Sequence, residues 1–189
     1  MCEMDMQKLH RIRSDKIAWV SLDDLDRETH GGLRKLCEKL ISIPFELNKK
    51  CSLSLQAAGI FQLAYYSAEE SYYSRHMDGG YDKQDSGRKI TAIYYPNYKS
   101  RTEKDGGNLV VYKRRKNPYQ IKDGDDQQPP EDEIERVIEP KGDRLVLLRA
   151  RDVPHEVMEN NKKRFSVSLY CPGPAGPGDK PDLRGRTIN

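Results

Sequence analysis

The chain is poor in apolar residues and in cysteine, and it contains no long apolar run. Hydrophobic residues make up 35% of its 189 residues and charged residues 33%, a balance that predicts one small domain with polar loops. No segment has the length of a membrane span or the apolar core of a signal peptide. The four cysteines form no CxxC pair, which disfavours a cysteine-bound zinc ion and a disulfide framework. These absences favour a reducing compartment, the cytoplasm or the nucleus, and no membrane partner.

The net charge is also small. At +3 and evenly spread, it does not predict binding to nucleic acid. The one basic cluster, Lys113 to Lys116, is typical of a solvated loop. No feature of the sequence specifies an oligomeric state.

The hydrophobic pattern changes from a helical to a strand period near residue 59. Before it, a strand is predicted at 14–19, and apolar residues at helical spacing from Leu33 to Ile41 predict a supporting helix that ends at Pro44. After it, alternation predicts eight strands at 59–66, 72–77, 88–95, 108–112, 133–138, 143–149, 155–158 and 164–170. Eight short strands separated by turn residues favour a mainly β fold, the jelly roll or double-stranded β-helix, in which two sheets face each other.

One domain is therefore expected over residues 1–170, with helical support at about 20–45 and the jelly roll at about 59–170. Two stretches fall outside this pattern. The charged connection at 113–132 is long for a compact domain, which indicates a functional or mobile segment. Residues 171–189 are rich in proline and glycine and are expected to form a tail that buries no core.

Two histidines and one aspartate have the spacing of a metal-ligand set. His76 and Asp78 are two residues apart, so their side chains point to the same side of a strand. His155 begins a distant predicted strand, which jelly-roll topology places beside the first. Two imidazoles and one carboxylate on one face of an ion are the ligands of non-haem iron(II) sites. A His-x-Asp pair alone also occurs in solvated turns, and a single histidine at a strand end is ordinary.

Arg164 provides a second, independent signal. It opens a strand whose alternation puts Arg164, Ser166 and Ser168 on one face and apolar residues on the other. A guanidinium that points into a barrel is costly unless it meets an anion. Its planar fork fits a carboxylate through two hydrogen bonds. The triad and the arginine together predict an iron site beside a carboxylate-binding pocket.

These residues lie within a longer series of motifs that resembles a known family. From about Ile12 to Tyr170 the chain resembles the Fe(II)- and 2-oxoglutarate-dependent prolyl 4-hydroxylases, in particular the hypoxia-inducible-factor prolyl hydroxylase domain type. The motifs occur in the family's order. They are IRSDKIAW at 12–19, YSRHMD at 73–78, TAIYY at 91–95, GGNL at 106–109, EPKGDRL at 139–145 and PHEV at 154–157.

The resemblance implies roles for the site residues. His76, Asp78 and His155 would hold Fe(II). Arg164 and Tyr95 would bind the far carboxylate of 2-oxoglutarate. The other positions expected to line the cosubstrate pocket are Tyr66, Leu109, Val157 and Ser168. On its own, an alternating strand would make such aromatic and aliphatic residues ordinary core positions.

The implied activity is hydroxylation of prolyl residues in a proline-containing protein, coupled to decarboxylation of 2-oxoglutarate to succinate and CO₂. O₂ would be the second cosubstrate and ascorbate the reductant. Arg88 matches an arginine near the substrate prolyl residue, and Tyr170 stands where the family has a tryptophan. The family's helix and strands before the Ile12 segment are not found ahead of it. Two alternatives therefore stay open: an oxygenase of another residue or of a small molecule, and a truncated, non-catalytic jelly-roll interaction module.

Overall fold

The computed structural model describes residues 12–56, 58–79, 87–97, 101–113 and 134–174. Most of the predicted connection at 113–132, the basic cluster beyond Lys113 and the predicted tail beyond residue 174 lie outside the described residues. No helix within the described ranges is long and apolar enough to cross a membrane.

In the described chain, one strand precedes two consecutive helices and the remaining strands follow them. The strands are β1 Lys16–Ser21, β2 Ile60–Tyr66, β3 Ser71–His76, β4 Arg88–Tyr95, β5 Leu109–Tyr112, β6 Ile134–Ile138, β7 Arg144–Arg149, β8 His155–Asn160 and β9 Arg164–Pro172. The helices are α1 Gly31–Leu40 and α2 Ser42–Cys51, and a 3-10 turn covers Glu103–Asp105. The eight strands predicted after residue 59 are confirmed as β2 to β9.

The strands form two antiparallel sheets. The larger has the order β1-β2-β9-β4-β7 and the smaller the order β3-β8-β5-β6. Strands β2 to β9 therefore divide between two facing sheets, as the predicted jelly roll requires. Strand β1 extends the larger sheet and pairs with β2, with Trp19 opposite Gln62.

The predicted end of the helical region at Pro44 is wrong. Pro44 lies in the first turn of α2, which begins at Ser42 and continues to Cys51. A proline is tolerated there because the N–H groups of the first turn have no acceptor within the helix. The helical support therefore extends past residue 45.

The larger sheet is covered on both faces, and β9 shows this best. Ser166 and Ser168 point towards the smaller sheet, whereas Val167 and Leu169 are buried with Cys37 and other helical residues. Because helices and the second sheet each cover one face, both halves of the alternation are buried. The strand continues to Pro172, so the boundary predicted for the tail at residue 171 falls inside β9.

Candidate active site

Strands β3 and β8 bring the three candidate metal ligands together. The two strands pair antiparallel, with His76 opposite His155 at one end of the ladder. β3 ends at His76, and Asp78 follows two residues later with its side chain buried. The register shifts twice between Ser71 and His76, and such irregularities re-aim side chains at strand ends.

The ligand atoms of the triad surround one point. His76 Nε2 lies 3.5 Å from Asp78 Oδ1, and His155 Nε2 lies 3.5 Å from Asp78 Oδ2. All three ligand atoms are within 4.8 Å of one another. Metal–ligand bonds of about 2.0–2.2 Å place neighbouring donor atoms roughly 3 Å apart. One ion can therefore be reached by all three side chains with small adjustments.

Both imidazoles are oriented by the backbone. His76 Nδ1 is 2.8 Å from the carbonyl oxygen of Ser74, and His155 Nδ1 is 3.0 Å from that of Val153. A carbonyl only accepts hydrogen bonds, so each Nδ1 carries the proton and donates it. Each Nε2 then has its lone pair free for a metal ion.

The electrostatics of the triad also suit a divalent cation. Burial alone would raise the pKa of Asp78, but the two neighbouring histidines outweigh burial and hold it below its usual range. Burial and the nearby His76 lower the pKa of His155 to about 4. Asp78 Oδ2 is buried and has no hydrogen-bond partner among the described residues. A charged carboxylate with an unpartnered oxygen, beside a neutral imidazole, fits iron(II).

A second group of buried polar atoms without hydrogen-bond partners belongs to Arg164 and to the neighbouring Tyr95. Its side chain is buried, with 1% relative exposure, and its Nε and Nη1 atoms have no hydrogen-bond partner among the described residues. The guanidinium carbon lies 4.4 Å from the ring centre of Tyr66 and 5.1 Å from that of Tyr95. The hydroxyl of Tyr95 is likewise buried without a partner in this part of the chain. Burial raises the pKa of Tyr95, so its hydroxyl keeps its proton and can donate. These donors need an anion.

The metal triad and Arg164 line the same pocket. It has an empty volume of about 380 Å³, including its open mouth. Four further predicted positions line it: Tyr66, Leu109, Val157 and Ser168. Tyr95 is fully buried beside Arg164 and is not among the residues that line the pocket. Arg88 does not line the pocket. Its guanidinium carbon lies 3.9 Å from the ring centre of Tyr170, and Tyr170 does line the pocket.

A stack of side chains next to His76 was not predicted from the sequence. The Tyr73 ring stacks on the His76 imidazole, with centroids 3.6 Å apart and planes at 17°. The Arg13 guanidinium carbon lies 4.1 Å from the centre of the Tyr73 ring, and Arg13 pairs with Asp15 at 2.6 Å. Tyr73 and Arg13 fall within the motifs at 73–78 and 12–19. The motifs therefore contained both residues, but the sequence alone did not predict what either residue contacts.

A jelly roll with a two-histidine, one-carboxylate cluster and a buried arginine that keeps unpartnered donor atoms in the same pocket defines a class, the iron- and oxoacid-dependent oxygenases. The chain belongs to the 2OG-Fe(II) oxygenase superfamily, whose family model matches residues 61–171. This match covers more than half of the chain and contains all three candidate metal ligands and Arg164.

Individual relatives agree with this family. The chain is 29% identical over 161 residues to a hypoxia-inducible factor prolyl hydroxylase of Caenorhabditis elegans, covering 84% of this chain and 20% of the relative. It is 29% identical over 161 residues to human Egl nine homolog 1, covering 84% of this chain and 33% of the relative. The chain thus spans a third or less of the length of these two relatives.

Solved structures show the same fold. A prolyl hydroxylase of Trichoplax adhaerens, in complex with a hypoxia inducible factor peptide fragment, matches with a TM-score of 0.66 and 26% identity. That match covers 86% of this chain and 64% of the other. A Pseudomonas putida prolyl-4-hydroxylase matches with a TM-score of 0.64 and 22% identity, over 87% of this chain and 74% of the other.

Proposed function

We propose that this oxygenase hydroxylates prolyl residues in a target protein and couples the reaction to decarboxylation of 2-oxoglutarate to succinate and CO₂. The observation that carries the proposal is the buried Arg164, whose unpartnered donors face the pocket that the metal triad lines. The Caenorhabditis elegans and Trichoplax adhaerens relatives, both named as prolyl hydroxylases, support the choice of substrate.

His76, Asp78 and His155 would hold the iron, and their side chains arrive already oriented. The carbonyls of Ser74 and Val153 fix the protonated nitrogen of each imidazole, so no proton has to move before metal binding. When bound, iron(II) would supply the activation of O₂ for attack on a C–H bond. The Tyr73 ring holds the plane of His76 and covers one of its faces.

Arg164 and Tyr95 would bind the far carboxylate of 2-oxoglutarate. The guanidinium has two nitrogens without a partner, Nε and Nη1, and the phenol has one O–H, and each of these groups can donate to a carboxylate oxygen. Leu109 and Val157 lie in the core between the sheets and form apolar walls that exclude water. Tyr66 supports the Arg164 guanidinium with its ring, and Ser168 adds a hydroxyl to the pocket.

The substrate prolyl residue would bind at the rim, near Arg88. The Arg88 side chain lies against Tyr170 and donates a 3.3 Å hydrogen bond to the carbonyl of Asp78, next to the metal ligands. Trp19 is 48% exposed, and its ring centre lies 5.8 Å from that of Tyr170. This aromatic surface suits the apolar face of a proline ring.

O₂ as second cosubstrate and ascorbate as reductant complete the proposed set of small molecules.

The proposed location is the cytoplasm or the nucleus. The described cysteines Cys37, Cys51 and Cys171 are all free thiols, as expected where the thiol pool is reduced. Fractionation of cells that express the chain, with detection by antibody, tests this location; recovery in a secreted fraction would contradict it.

The decisive experiment is mass spectrometry of proline-containing peptides incubated with the protein, Fe(II), ascorbate and 2-oxoglutarate. A hypoxia inducible factor peptide of the kind bound by the Trichoplax relative is the first substrate to try. Controls omit 2-oxoglutarate or use the His155→Ala variant. One oxygen added to a prolyl residue, labelled by ¹⁸O₂, is the expected result. Succinate without prolyl oxidation would indicate another substrate. If neither succinate nor an oxidised prolyl residue is formed, the result would favour the non-catalytic interaction module.

A further inference from the structure

A second arginine, Arg101, is buried near the turn that precedes Arg164. Its relative exposure is 6%, yet it does not line the pocket. Its Nη1 donates to the carbonyl oxygens of Lys162 and Lys163, at 3.1 and 2.8 Å. These are the two residues directly before Arg164 in the chain. A single guanidinium nitrogen therefore holds the backbone that leads into the proposed carboxylate-binding residue.

The other terminal nitrogen of Arg101 holds the opposite side of this turn. Nη2 donates to Asn160 Oδ1 at 2.9 Å and to the carbonyl oxygen of Gly106 at 3.1 Å. Asn160 is fully buried and donates in turn to the carbonyl of Ser67 at 2.6 Å and to that of Tyr66 at 3.4 Å. Tyr66 is the residue whose ring lies against the Arg164 guanidinium.

The loop before β5 completes the contact with Arg164. Gly107 has a φ of +69°, and a Cβ atom built there would lie 2.5 Å from Asn160 Oδ1 and 3.0 Å from Arg164 Cδ. The backbone thus touches both the network of Arg101 and the stem of Arg164. A substitution of Arg101 would therefore remove hydrogen bonds from backbone and side-chain groups that lie next to Arg164.

All the hydrogen-bond acceptors of Arg101 given above are uncharged oxygens. The Asp105 carboxylate instead accepts from the Thr102 N–H at 2.7 Å and from Lys162 Nζ at 3.3 Å. Burial lowers the pKa of Arg101, the nearby Asp105 carboxylate opposes this shift, and repulsion by the Arg164 guanidinium adds a smaller lowering. A carboxylate bound to Arg164 would relieve part of this repulsion.

We infer that Arg101 is a positioning residue for the carboxylate clamp: by bridging the β8–β9 turn and Asn160, it sets the placement of Arg164 and favours a dianionic cosubstrate. The inference rests on the proposed function, in which Arg164 binds the far carboxylate of 2-oxoglutarate. Arg101 itself touches no cosubstrate atom.

The test compares ligands with and without the far carboxylate. Binding of 2-oxoglutarate and of 2-oxovalerate, which lacks that carboxylate, is measured by calorimetry on the anaerobic Fe(II) protein. For Arg101→Met we expect the Kd of 2-oxoglutarate to rise about tenfold, with changes under about twofold for 2-oxovalerate and for Fe(II). Arg101→Lys keeps the charge but cannot bridge both sides of the turn, so the same direction is expected; it also serves if Arg101→Met does not fold.

Arg34→Met is the matched control. Arg34 also donates to two backbone carbonyls, those of Leu22 and Leu25, but it belongs to α1 and does not line the pocket. It should leave both ligands unaffected. In an Arg164→Met background, the effect of Arg101→Met on 2-oxoglutarate should disappear.

Other outcomes separate the two hypotheses. If Arg164→Met leaves 2-oxoglutarate binding unchanged, the proposed clamp itself is wrong. If Arg164→Met weakens binding and the Arg101 variants do not, the clamp stands and the inference is overturned. Equal weakening of both oxoacids and of Fe(II) by Arg101→Met would also overturn it, because Arg101 would then have only a structural role.

Discussion

His155 is the most deeply buried of the three candidate ligands, with 4% side-chain exposure. Its replacement by alanine removes one of the three donor atoms that the described residues bring together. Even the loss of groups that only orient metal ligands costs about 10–100-fold in affinity, so we expect His155→Ala to weaken Fe(II) binding by more than about 100-fold. Anaerobic equilibrium dialysis measures this. His30→Ala, at an exposed histidine, is the control; retained affinity in His155→Ala would remove His155 from the ligand set.

Gly107 is the second residue whose identity is fixed by its surroundings. Its positive φ and the short distances to Asn160 and Arg164 leave no room for a side chain. We expect Gly107→Ala to lower the free energy of unfolding by roughly 2–3 kcal/mol. Gly32→Ala is the matched control, because nothing lies within 4 Å of its Cβ position in α1; it should be neutral or stabilise by up to about 1 kcal/mol. Urea unfolding decides, and equal effects at both positions would contradict the argument.

At the residue scale, the sequence predicted the residues that gather in the pocket better than those that support them. His76, Asp78 and Arg164 carry local signals, because a period of two and an unusual inward charge are visible along the chain. Arg101 carries none. Its importance depends on carbonyls about 60 residues away, at Lys162 and Lys163, and these acceptors are backbone atoms that any residue would provide.

At the scale of elements, the helices stabilise the sheet that carries Arg164. Leu40 of α1 is 3% exposed and packs in the cluster with Phe61, Val167 and Leu169. We expect Leu40→Ala to lower the free energy of unfolding by about 2–5 kcal/mol. Leu147→Ala is the matched control, because Leu147 is 45% exposed on edge strand β7 and should lose less than about 1 kcal/mol. A loss at Leu40 as small as that expected at Leu147, measured by urea unfolding, would show that the helices contribute little.

The strands were predictable from alternation because one face of each meets the opposite sheet. The end of the helical region was not predictable in the same way. Proline usually ends a helix, but in the first turn of a helix it is tolerated. Pro44 lies in a first turn only because the helical region is interrupted at Ile41 and a second helix begins at Ser42. The contact between Tyr73 and His76 was also hidden, since it needs the register shifts of β3.

At the scale of the whole molecule, two thiols tie stability to pH. Burial raises the pKa of Cys37 and of Cys171 to about 11, whereas a thiol in the unfolded chain ionises near about 8.5. The resulting stabilisation is fully present below about pH 8.5 and is lost as the pH rises towards 11. We expect the free energy of unfolding to fall over this interval. The Cys37→Ala/Cys171→Ala variant should show a shallower slope and Cys51→Ala an unchanged one; identical slopes would exclude the thiols as the cause.

The two halves of the proposed site belong to different sheets. The metal ligands His76 and His155 lie on the smaller sheet and Arg164 on the larger, and facing sheets pack about 10 Å apart. Under the proposed assignment, the distance between the two sheets sets the length of diacid that can reach from the metal ligands to Arg164. Trimming its filling, with Val157→Ala and Leu109→Ala, should shift preference from 2-oxoglutarate towards a diacid of different length, such as 2-oxoadipate, in competition binding. Cosubstrate choice in this protein is then a property of the core, which a survey of pocket polar groups alone would overlook.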